Sequence, residues 1–342
     1  MFTESIEFLE LQDLKESLQG LDPSNTLILC DTNTARHCLP LLELEDFKQC
    51  ILPAGEENKS LSHCETVWNA LLEHQVDRNG TVINLGGGVI TDLGAFAASV
   101  YKRGIAFIHV PTSYMGMVDA AIGGKTALNF GGIKNPLGTF GAPEEVLIYE
   151  GFLHSLPEIE AINGFAESIK HALIKSAVLW EQIKKEEAFS LEFATSILKQ
   201  SVEIKGEVVD EDPFEMGERK SLNFGHTIGH AVEAHFMGDN SIRHGESIAI
   251  GMYCEAYLSE KEHYLTSGQV EEIKLVLNKF YPKKEIKALD LSPIMEKIKN
   301  DKKNSSQGYN FTLLDSIGSA ISDQYIEEPL IQESIEAYIN TY

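Results

Sequence analysis

Residues 81–92 of the chain read TVINLGGGVITD, and this stretch decides the fold. The apolar, β-branched run from Thr81 to Leu85 predicts a buried strand, which Gly86-Gly87-Gly88 follows directly. The small-residue segment from Leu93 to Val100 then predicts a helix. Glycines permit a tight turn and a close backbone approach, and amides at a helix N-terminus suit a pyrophosphate. Because the spacing is neither G-x-G-x-x-G nor G-x-x-x-x-G-K-S/T, the motif alone leaves a purely structural turn open.

Other apolar runs on both sides of this motif alternate with amphipathic segments. The further predicted strands are Thr26 to Asp31, Cys50 to Pro53, Ile105 to Val110 and Val146 to Tyr149. Between them, the segment from Leu61 to Gln75 has apolar residues at helical spacing. Strands that alternate with helices predict a parallel sheet with crossover helices, so we expect an α/β domain over residues 1–157.

Helical patterns dominate after Leu156-Pro157, and we place a domain boundary there. The predicted helices are Gly164 to Val178, Phe189 to Val209, Ile228 to Phe236, Gly245 to Glu262, Gly268 to Phe280 and Pro329 to Ile339. The expected second domain, residues 158–342, is therefore mainly α-helical.

Charge and composition exclude several classes of protein. The 342 residues contain 52 Asp and Glu against 28 Lys and Arg, a net charge of −24, which argues against a nucleic-acid-binding protein. No apolar run approaches the roughly 20 residues that a membrane crossing needs, and the first residues carry acids where a signal peptide would carry bases. The five cysteines form no C-x-x-C pair. We therefore expect a cytoplasmic protein with reduced thiols and no membrane partner.

Three short segments of the first half carry polar groups suited to a ligand. Lys125 and Lys134 lie nine residues apart in glycine-rich segments, which we expect to be exposed loops. Cations on such loops suit an anionic ligand, although solvated lysines are the alternative. Asp31-Thr32-Asn33 ends the first predicted strand, where a carboxylate could accept hydrogen bonds from a ribose or could serve as an ordinary turn residue.

The second half contains a dense group of acids and histidines. Glu167 and Lys170 share one face of a helix that we expect to begin near Gly164, with Asn163 as its N-cap. Further along, the motif Arg219-x-x-x-Asn223-x-x-His226-x-x-x-His230 is followed by His244. A Glu and His residues from separate helices can form a site with three protein ligands and one open position, as in catalytic zinc sites. The spacing names both His226 and His230 as possible ligands and does not decide whether one is instead an acid or base.

These residues belong to a series of motifs that resembles the 3-dehydroquinate synthases in content and order. The motifs are Pro53-x-Gly55-Glu56-x-x-Lys59, the Gly-Gly-Gly-x-x-x-Asp92 turn, Tyr101-Lys102-Arg103-Gly104, Pro111-Thr112-Ser113, Val118-Asp119-x-x-x-Gly123-Gly124-Lys125-Thr126-x-x-Asn129, Glu167-x-x-Lys170, Leu222-Asn223-x-Gly225-His226-x-x-Gly229-His230, His244-Gly245-Glu246 and Asp301-Lys302-Lys303.

The resemblance implies a Rossmann-like, dinucleotide-binding α/β domain followed by a helical domain that binds metal and substrate. It also implies an NAD-dependent lyase of the shikimate pathway that contains Zn²⁺ or Co²⁺. The family's substrate is the sugar phosphate 3-deoxy-D-arabino-heptulosonate 7-phosphate, and its products are 3-dehydroquinate and phosphate.

The resemblance further implies a role for individual residues. Metal ligation falls to Glu167, His226 and His244, which leaves His230 as an acid or base. The residues implied in catalysis are His230, Glu215, Lys125, Arg219 and Asn223. Those implied in NAD binding are Asp31, Thr32, Asn33, Glu56, Lys59, Gly87, Gly88, Val89, Asp92, Thr112, Ser113, Lys125, Lys134, Phe152, Leu153 and Ser155. Those implied in substrate binding are Arg103, Asp119, Asn135, Asn163, Lys170, Lys205, Lys302 and Lys303. In the family the counterpart of Arg103 reaches the neighbouring subunit's phosphate, which implies a homodimer.

Three other functions compete with this one. A metal-dependent polyol or glycerol dehydrogenase shares the glycine turn and the metal histidines, but Gly-Gly-Lys-Thr and Glu-x-x-Lys argue for a phosphorylated, cyclising substrate. Another sugar phosphate cyclase is closer, although Asn223, His230 and the two glycine-loop lysines favour the dehydroquinate branch. A catalytically inactive scaffold is the third, and every catalytic position that the resemblance requires is present.

Overall fold

The computed structural model describes residues 5–131, 133–236, 242–287, 290–299 and 308–340. The chain divides into two compact units between Ala161 and Ile162, and the predicted boundary lies near Pro157. Each unit is described by itself below.

The first unit is built on a parallel sheet. Its strands, with one separate hairpin, are β1 (Ser5–Phe8), β2 (Thr26–Asp31), β3 (Lys48–Leu52), β4 (Thr81–Gly86), β5 (Ala106–Pro111), β6 (Leu128–Phe130), β7 (Ile133–Leu137) and β8 (Glu145–Ile148). Six strands form one sheet in the order β1-β8-β5-β4-β2-β3, all parallel, while β6 and β7 form the antiparallel hairpin. The predicted parallel sheet is confirmed, and its five predicted strands lie within two residues of the observed ones. Strand β1 and the hairpin were not predicted.

Helices cover the sheet and bury its apolar side chains. They are α1 (Leu11–Gln19), α2 (Thr32–His37), α3 (Leu39–Leu42), α4 (Leu61–Glu73) and α5 (Gly88–Val100). Val67 of α4 and Leu93 of α5 pack in one core with Leu29 of β2, and all three are fully buried. Helix α5 begins at Gly88 and not at Leu93 as predicted, so the glycine turn leads directly into its first turn.

The connections of the sheet reverse the strand order between β2 and β4. From β2 the chain passes to β3 on one side, and it then returns to β4 on the other side before continuing outward to β5 and β8. Strands β2 and β4 are direct neighbours, with Cys30 paired to Leu85. Ligands of open α/β sheets bind at such a reversal of strand order, beyond the carboxyl ends of the strands. Asp31 and the glycine turn lie at this position.

A polar pair is buried inside the sheet. Asn84 of β4 and His109 of β5 are cross-strand neighbours, and Asn84 Nδ2 lies 3.3 Å from His109 Nδ1. Burial lowers the pKa of His109 from an ordinary value of 6.5 to about 3. His109 is therefore neutral in the folded protein at any moderately acidic pH.

We expect His109 to make the fold sensitive to acid. Between pH 6.5 and pH 3 the unfolded chain takes up a proton that the folded chain rejects, so stability falls as the pH falls through this window. His109 alone should cost about 2 kcal/mol of unfolding free energy between pH 7 and pH 5. Urea denaturation at both pH values should show that His109→Gln loses less stability than the wild type on acidification. His154 is exposed and serves as the control: His154→Gln should lose as much stability on acidification as the wild type. Equal losses of stability in all three proteins would contradict the expectation.

The second unit is mainly helical, as predicted. Its elements are α6 (Glu158–Lys175), α7 (Ala177–Ile183), α8 (Leu191–Ser196), α9 (Leu198–Glu211), α10 (His226–His235), α11 (His244–Lys261), α12 (Ser267–Phe280), α13 (Leu291–Lys299), the strands β9 (Tyr309–Ser316) and β10 (Ser319–Ile326), and α14 (Glu328–Asn340). Helix α11 lies at the centre and contacts α10, α12, α14 and β9.

Two predictions for this unit need correction. The first helix begins at Glu158, so Asn163 lies inside it and is not its N-cap. The predicted helix from Phe189 to Val209 is two helices, α8 and α9, and the antiparallel β9–β10 hairpin was not predicted. Among the described residues, no helix is long and apolar enough to cross a membrane.

Candidate active site

Three side chains of the helical unit converge on one point. Glu167 lies on α6, His226 is the first residue of α10, and His244 is the first residue of α11. One ligand atom from each lies within 4.8 Å of the others. The Nε2 atoms of His226 and His244 are 3.5 and 3.3 Å from Glu167 Oε1. One carboxylate and two imidazoles from separate helices are a typical ligand set for a catalytic zinc ion.

His226 is held as a neutral imidazole. Burial, together with the positive charge of Lys170, holds the pKa of His226 well below its usual range. Its Nδ1 lies 3.1 Å from the carbonyl oxygen of Phe224, which can only accept, so Nδ1 carries the hydrogen. The lone pair of Nε2 therefore faces the carboxylate oxygen of Glu167 at 3.5 Å. Two acceptors at this distance repel each other unless a cation or a proton lies between them, and this geometry fits a metal ion.

Glu167 is ionised although it is fully buried. Burial acts to raise the pKa of its carboxyl, but the charge of Lys170 and the neighbouring imidazoles outweigh burial, so the pKa lies well below its usual range. Lys170 Nζ donates to Oε2, while Oε1 faces His226 and His244. Lys170, predicted to bind substrate, is thus an ion-pair partner of Glu167. A deprotonated carboxylate is the form that binds a metal.

A contact between helices fixes the position of His244. The side-chain Oδ1 of Asn163, one turn before Glu167 on α6, accepts a hydrogen bond of 2.6 Å from the backbone N–H of Gly245. A Cβ atom at Gly245 would lie 2.1 Å from the Asn163 carbonyl oxygen, so only glycine allows this approach. Asn163 therefore caps α11, and it places the first residue of α11 beside Glu167.

A buried acid fixes His226 in a similar way. Glu255 of α11 is fully buried, and its carboxylate accepts hydrogen bonds from the backbone N–H groups of Gly225, at 2.5 Å, and Ile228, at 3.2 Å. These are donors of the first turn of α10, which have no partner within the helix. The carboxylate thus ties the N-terminus of α10, with His226, to α11, with His244.

His230 lies beside the cluster of Glu167, His226 and His244. Its ring centroid is 5.0 Å from that of His226 and 5.8 Å from that of His244, and the side chain is exposed. A second possible metal group consists of His230, Glu233 and His244. The spacing left His226 and His230 equivalent; the geometry favours His226 as the ligand, because its Nε2 faces the buried Glu167.

A loop anchored on one aspartate carries three further predicted residues. The Asp212 carboxylate, at the end of α9, accepts hydrogen bonds from the backbone N–H groups of Met216 and Gly217, at 2.9 and 2.6 Å. These bonds hold the loop in which Glu215 lies. Asn223 Nδ2 donates to Glu215 Oε1 at 2.9 Å, and buried Arg219 donates from Nη1 to the carbonyl oxygen of Pro213 at 2.6 Å.

In the α/β unit, a second network joins residues predicted to contact NAD and substrate. Lys59, only 4% exposed, donates from Nζ to Asp92 Oδ2 and, at 2.7 Å, to Asn135 Oδ1. Asn129 accepts at Oδ1 from the Asn135 N–H at 3.0 Å and donates from Nδ2 to Glu56 Oε1 at 2.8 Å. Burial raises the pKa of the Asp92 carboxyl, and the charge of Lys59 acts in the opposite direction. Five residues scattered over 80 positions of the sequence thus form one polar cluster.

The glycine turn leaves space beside the N-terminus of α5. A Cβ atom at Gly87 would lie 2.9 Å from Ser113 Oγ, and one at Gly88 would lie 3.1 Å from the Cβ of Ala120. Side chains at these positions would crowd the turn. The arrangement fits a bound phosphate group, because the N–H groups of the first turn of α5 point out of the helix.

Asp31 has the turn role that the sequence left open. Its Oδ1 accepts hydrogen bonds from the N–H groups of Asn33, at 2.8 Å, and Thr34, at 2.9 Å, and so caps α2. Thr32 Oγ1 accepts from the Ala54 N–H at 3.3 Å.

The remaining predicted residues have varied surroundings. Thr112, Phe152, Leu153 and Lys205 are buried, Ser113 Oγ accepts from the Gly116 N–H at 3.1 Å, and Ser155 Oγ donates to the Phe152 carbonyl at 3.0 Å. Val89 lies in the first turn of α5, Asp119 lies in a π-helical turn (Gly116–Ala120), and Arg103, Lys125 and Lys134 are exposed. Lys134 lies in β7 and not in a loop as predicted. Lys302 and Lys303 lie outside the described residues.

Three acidic residues that support the predicted site residues were not predicted from the sequence. Asp212, Glu233 and Glu255 each accept hydrogen bonds that hold a predicted site residue or its segment in place. Glu233 is two helical turns after His226 and shares its face of α10, which is a spacing that could have drawn attention to it.

Comparisons of sequence agree over nearly the whole chain. A family profile described as 3-dehydroquinate synthase N-terminal matches residues 49–163, and one described as 3-dehydroquinate synthase C-terminal matches residues 164–304. A 3-dehydroquinate synthase of Parabacteroides distasonis is 37% identical over 337 residues, which cover 96% of each chain.

Solved structures of related folds also match. A 2-epi-5-epi-valiolone synthase from Streptomyces hygroscopicus subsp. jinggangensis 5008, solved with NAD⁺ and Zn²⁺ bound, has a TM-score of 0.87 and 26% identity, covering 100% of this chain and 97% of that one. A 2-deoxy-scyllo-inosose synthase, with a TM-score of 0.84 and 24% identity over 96% of this chain and 95% of that one, shares the fold.

Proposed function

The chain belongs to the 3-dehydroquinate synthase family, and on this premise we propose that it converts 3-deoxy-D-arabino-heptulosonate 7-phosphate to 3-dehydroquinate and phosphate, the lyase step of the shikimate pathway. The observation that carries the proposal is the convergence of Glu167, His226 and His244 in a chain that matches this family over nearly its whole length. Among sugar phosphate cyclases, the dehydroquinate branch is supported by the 37% identity to its named member, against 26% to the valiolone synthase.

Glu167, His226 and His244 would hold the divalent metal, Zn²⁺ or Co²⁺. A metal bound there would supply Lewis-acid chemistry at a substrate hydroxyl or carbonyl oxygen. The facing acceptors of Glu167 and His226, and the ionised state of the buried carboxylate, support this assignment.

The α/β unit would bind NAD at the reversal of strand order. NAD bound there would supply reversible hydride-transfer chemistry at a substrate alcohol, with no net oxidation over a turnover. The N-terminus of α5 with Gly87 and Gly88 suits the pyrophosphate. Asp31 ends β2, and Asp92 lies in α5, which follows the neighbouring strand β4. The metal- and substrate-binding role of the helical unit and the NAD-binding role of the α/β unit are both part of this proposal.

The chain's own groups would then bind phosphate, orient the substrate and move protons. The phosphate would be bound by positively charged side chains, namely Lys125, Arg219, Lys302, Lys303 and the partner subunit's Arg103. Because the protein has a net charge of −24, these positive charges would attract the anionic substrate locally. Asp119, Asn135, Asn163, Lys170 and Lys205 would orient the substrate. His230, exposed beside the metal cluster, and Glu215, held by Asn223, would relay the alcohol proton. Oxidation of the substrate alcohol to a ketone would acidify the adjacent carbon, which would make elimination of phosphate feasible at neutral pH.

A product assay tests the proposal. The purified chain is mixed with the seven-carbon phosphate, NAD and zinc, and 3-dehydroquinate, phosphate and NADH are measured. We expect equal amounts of the two products and no steady accumulation of NADH, and no turnover after removal of metal with a chelator. Steady NADH accumulation would instead indicate a polyol dehydrogenase, and a different carbocycle formed from another sugar phosphate would indicate another cyclase.

The homodimer remains a prediction that rests on the Arg103 motif. Arg103 is exposed and has a left-handed backbone (φ 71°), in the segment after α5. The cytoplasmic location also remains a prediction.

A further inference from the structure

The imidazole of His244 lies between two carboxylates. Its Nε2 is 3.3 Å from Glu167 Oε1, on the side of the proposed metal, and its Nδ1 is 3.2 Å from Glu233 Oε2 on the opposite side. Glu233 is only 6% exposed, and it is carried by α10, the same helix that carries His226. A buried carboxylate aimed at the second nitrogen of a metal-binding histidine has two possible functions: it is a ligand of a different metal position, or it orients the ring.

The two possibilities use different nitrogens of the same ring. In the group of Glu167, His226 and His244, the ring of His244 presents Nε2; the alternative group of His230, Glu233 and His244 would use Nδ1. The first group is the one whose members need a cation, because Nδ1 of His226 faces the Phe224 carbonyl and its Nε2 lone pair therefore faces a carboxylate oxygen of Glu167. If Nε2 of His244 binds that cation, then Nδ1 carries the hydrogen and has to donate it.

The Nδ1 atoms of His226 and His244, which face away from the proposed metal, have different hydrogen-bond acceptors. Nδ1 of His226 donates to the backbone carbonyl of Phe224, at 3.1 Å, which no side-chain substitution removes. Nδ1 of His244 has a carboxylate there, and a carboxylate acceptor both fixes the tautomer and makes the ligating nitrogen more basic.

We propose that Glu233 is a positioning residue for the metal site: it accepts the Nδ1–H of His244, fixes the ring so that the Nε2 lone pair points at the metal, and does not itself bind the metal. The inference rests on the proposed metal site and adds to it a residue outside the ligand set.

Metal affinity measured on Glu233 variants tests this inference. Zn²⁺ dissociation constants are measured by competition with a chromophoric chelator, on metal-free protein, for wild type, Glu233→Ala, Glu233→Gln and Glu167→Gln. We expect Glu233→Ala to weaken binding about 10–100-fold, as loss of an outer partner of a metal-binding histidine does. Glu233→Gln should weaken it less, because its amide oxygen still accepts the Nδ1–H. Glu167→Gln should weaken it far more than either, because it removes a ligand.

Rate measurements separate positioning from direct participation. At saturating Zn²⁺, kcat of both Glu233 variants should return to within a few fold of the wild type, while the Zn²⁺ concentration needed for half-maximal rate rises by the same factor as the dissociation constant. Glu262→Gln, at the exposed end of α11, is the control and should bind Zn²⁺ like the wild type. If Glu233→Ala does not fold, Glu233→Leu, which fills the side-chain volume and also lacks an acceptor, supplies the same comparison.

Two outcomes would overturn the inference. Unchanged Zn²⁺ affinity in the Glu233 variants would show that the contact has no effect on the metal, and loss of binding in Glu233→Gln with retention in Glu167→Gln would make Glu233 a ligand. The product assay on the wild type reports on the proposed reaction independently: a wild type that binds Zn²⁺ but forms no dehydroquinate would refute the reaction and leave the Glu233 result standing.

Discussion

The His226→Ala variant is expected to lose its metal and its activity together, whereas His230→Ala should keep the metal and lose rate. His226 supplies one of three converging ligand atoms, and its removal leaves Glu167 and His244 as a two-residue site. The loss of Lewis-acid chemistry worth several kcal/mol should lower kcat by more than about a thousandfold. His230 lies one turn further along the same helix and is exposed, so its removal should cost only the proton transfer, about 10²–10⁴-fold in rate.

Metal content and rate have to be measured on the same samples. After dialysis against metal-free buffer, elemental analysis should find about one equivalent of metal in the wild type and in His230→Ala, and little in His226→Ala. His235→Ala provides a matched control on α10, because His235 pairs with Asp290 and belongs to neither possible metal group. If His230→Ala lost the metal and His226→Ala retained it, the roles of the two histidines would be exchanged.

The sequence predicted the sheet well because its strands are buried. Thr26–Asp31 and Thr81–Gly86 are almost wholly buried, and such strands are continuous apolar runs that stand out in any sequence. Strand β1 was missed because it lies at the sheet edge, where its residues alternate between exposed and partly buried and include Ser5 and Glu7. The β9–β10 hairpin was missed because shifts of register interrupt its pairing, so no regular alternation appears in the sequence.

The site shows a similar division between ligands and their supports. Ligand chemistry is visible in residue type and spacing, so Glu167, His226 and His244 could be named from motifs that resemble a known family. The partners that orient them could not be named in this way, because their contacts form only when the helices pack. An asparagine inside α6 caps α11, and a glutamate of α11 caps α10. Asn163 illustrates this limit: its local context predicts an N-cap, and the structure uses it as a cap for a different helix.

The Lys59→Met substitution should destabilise the protein much more than the same substitution of a surface lysine. Lys59 is almost fully buried, and its Nζ donates to the Asp92 carboxylate and to Asn135. Methionine keeps the apolar stem and removes the charge, so Asp92, whose side chain is only 15% exposed, is left without its counter-ion. Breaking one side of a buried ion pair typically costs about 3–5 kcal/mol of unfolding free energy.

Urea denaturation without NAD measures this cost, because bound cofactor would add its own stabilisation. Lys48→Met, on the exposed side of edge strand β3, should change the unfolding free energy by no more than about 0.5 kcal/mol. Changing both partners, Lys59→Met with Asp92→Leu, should recover much of the loss, because no unpaired charge is then left buried. A Lys59→Met protein as stable as Lys48→Met would contradict this expectation, because it would mean that solvent reaches Asp92 freely enough to replace its counter-ion.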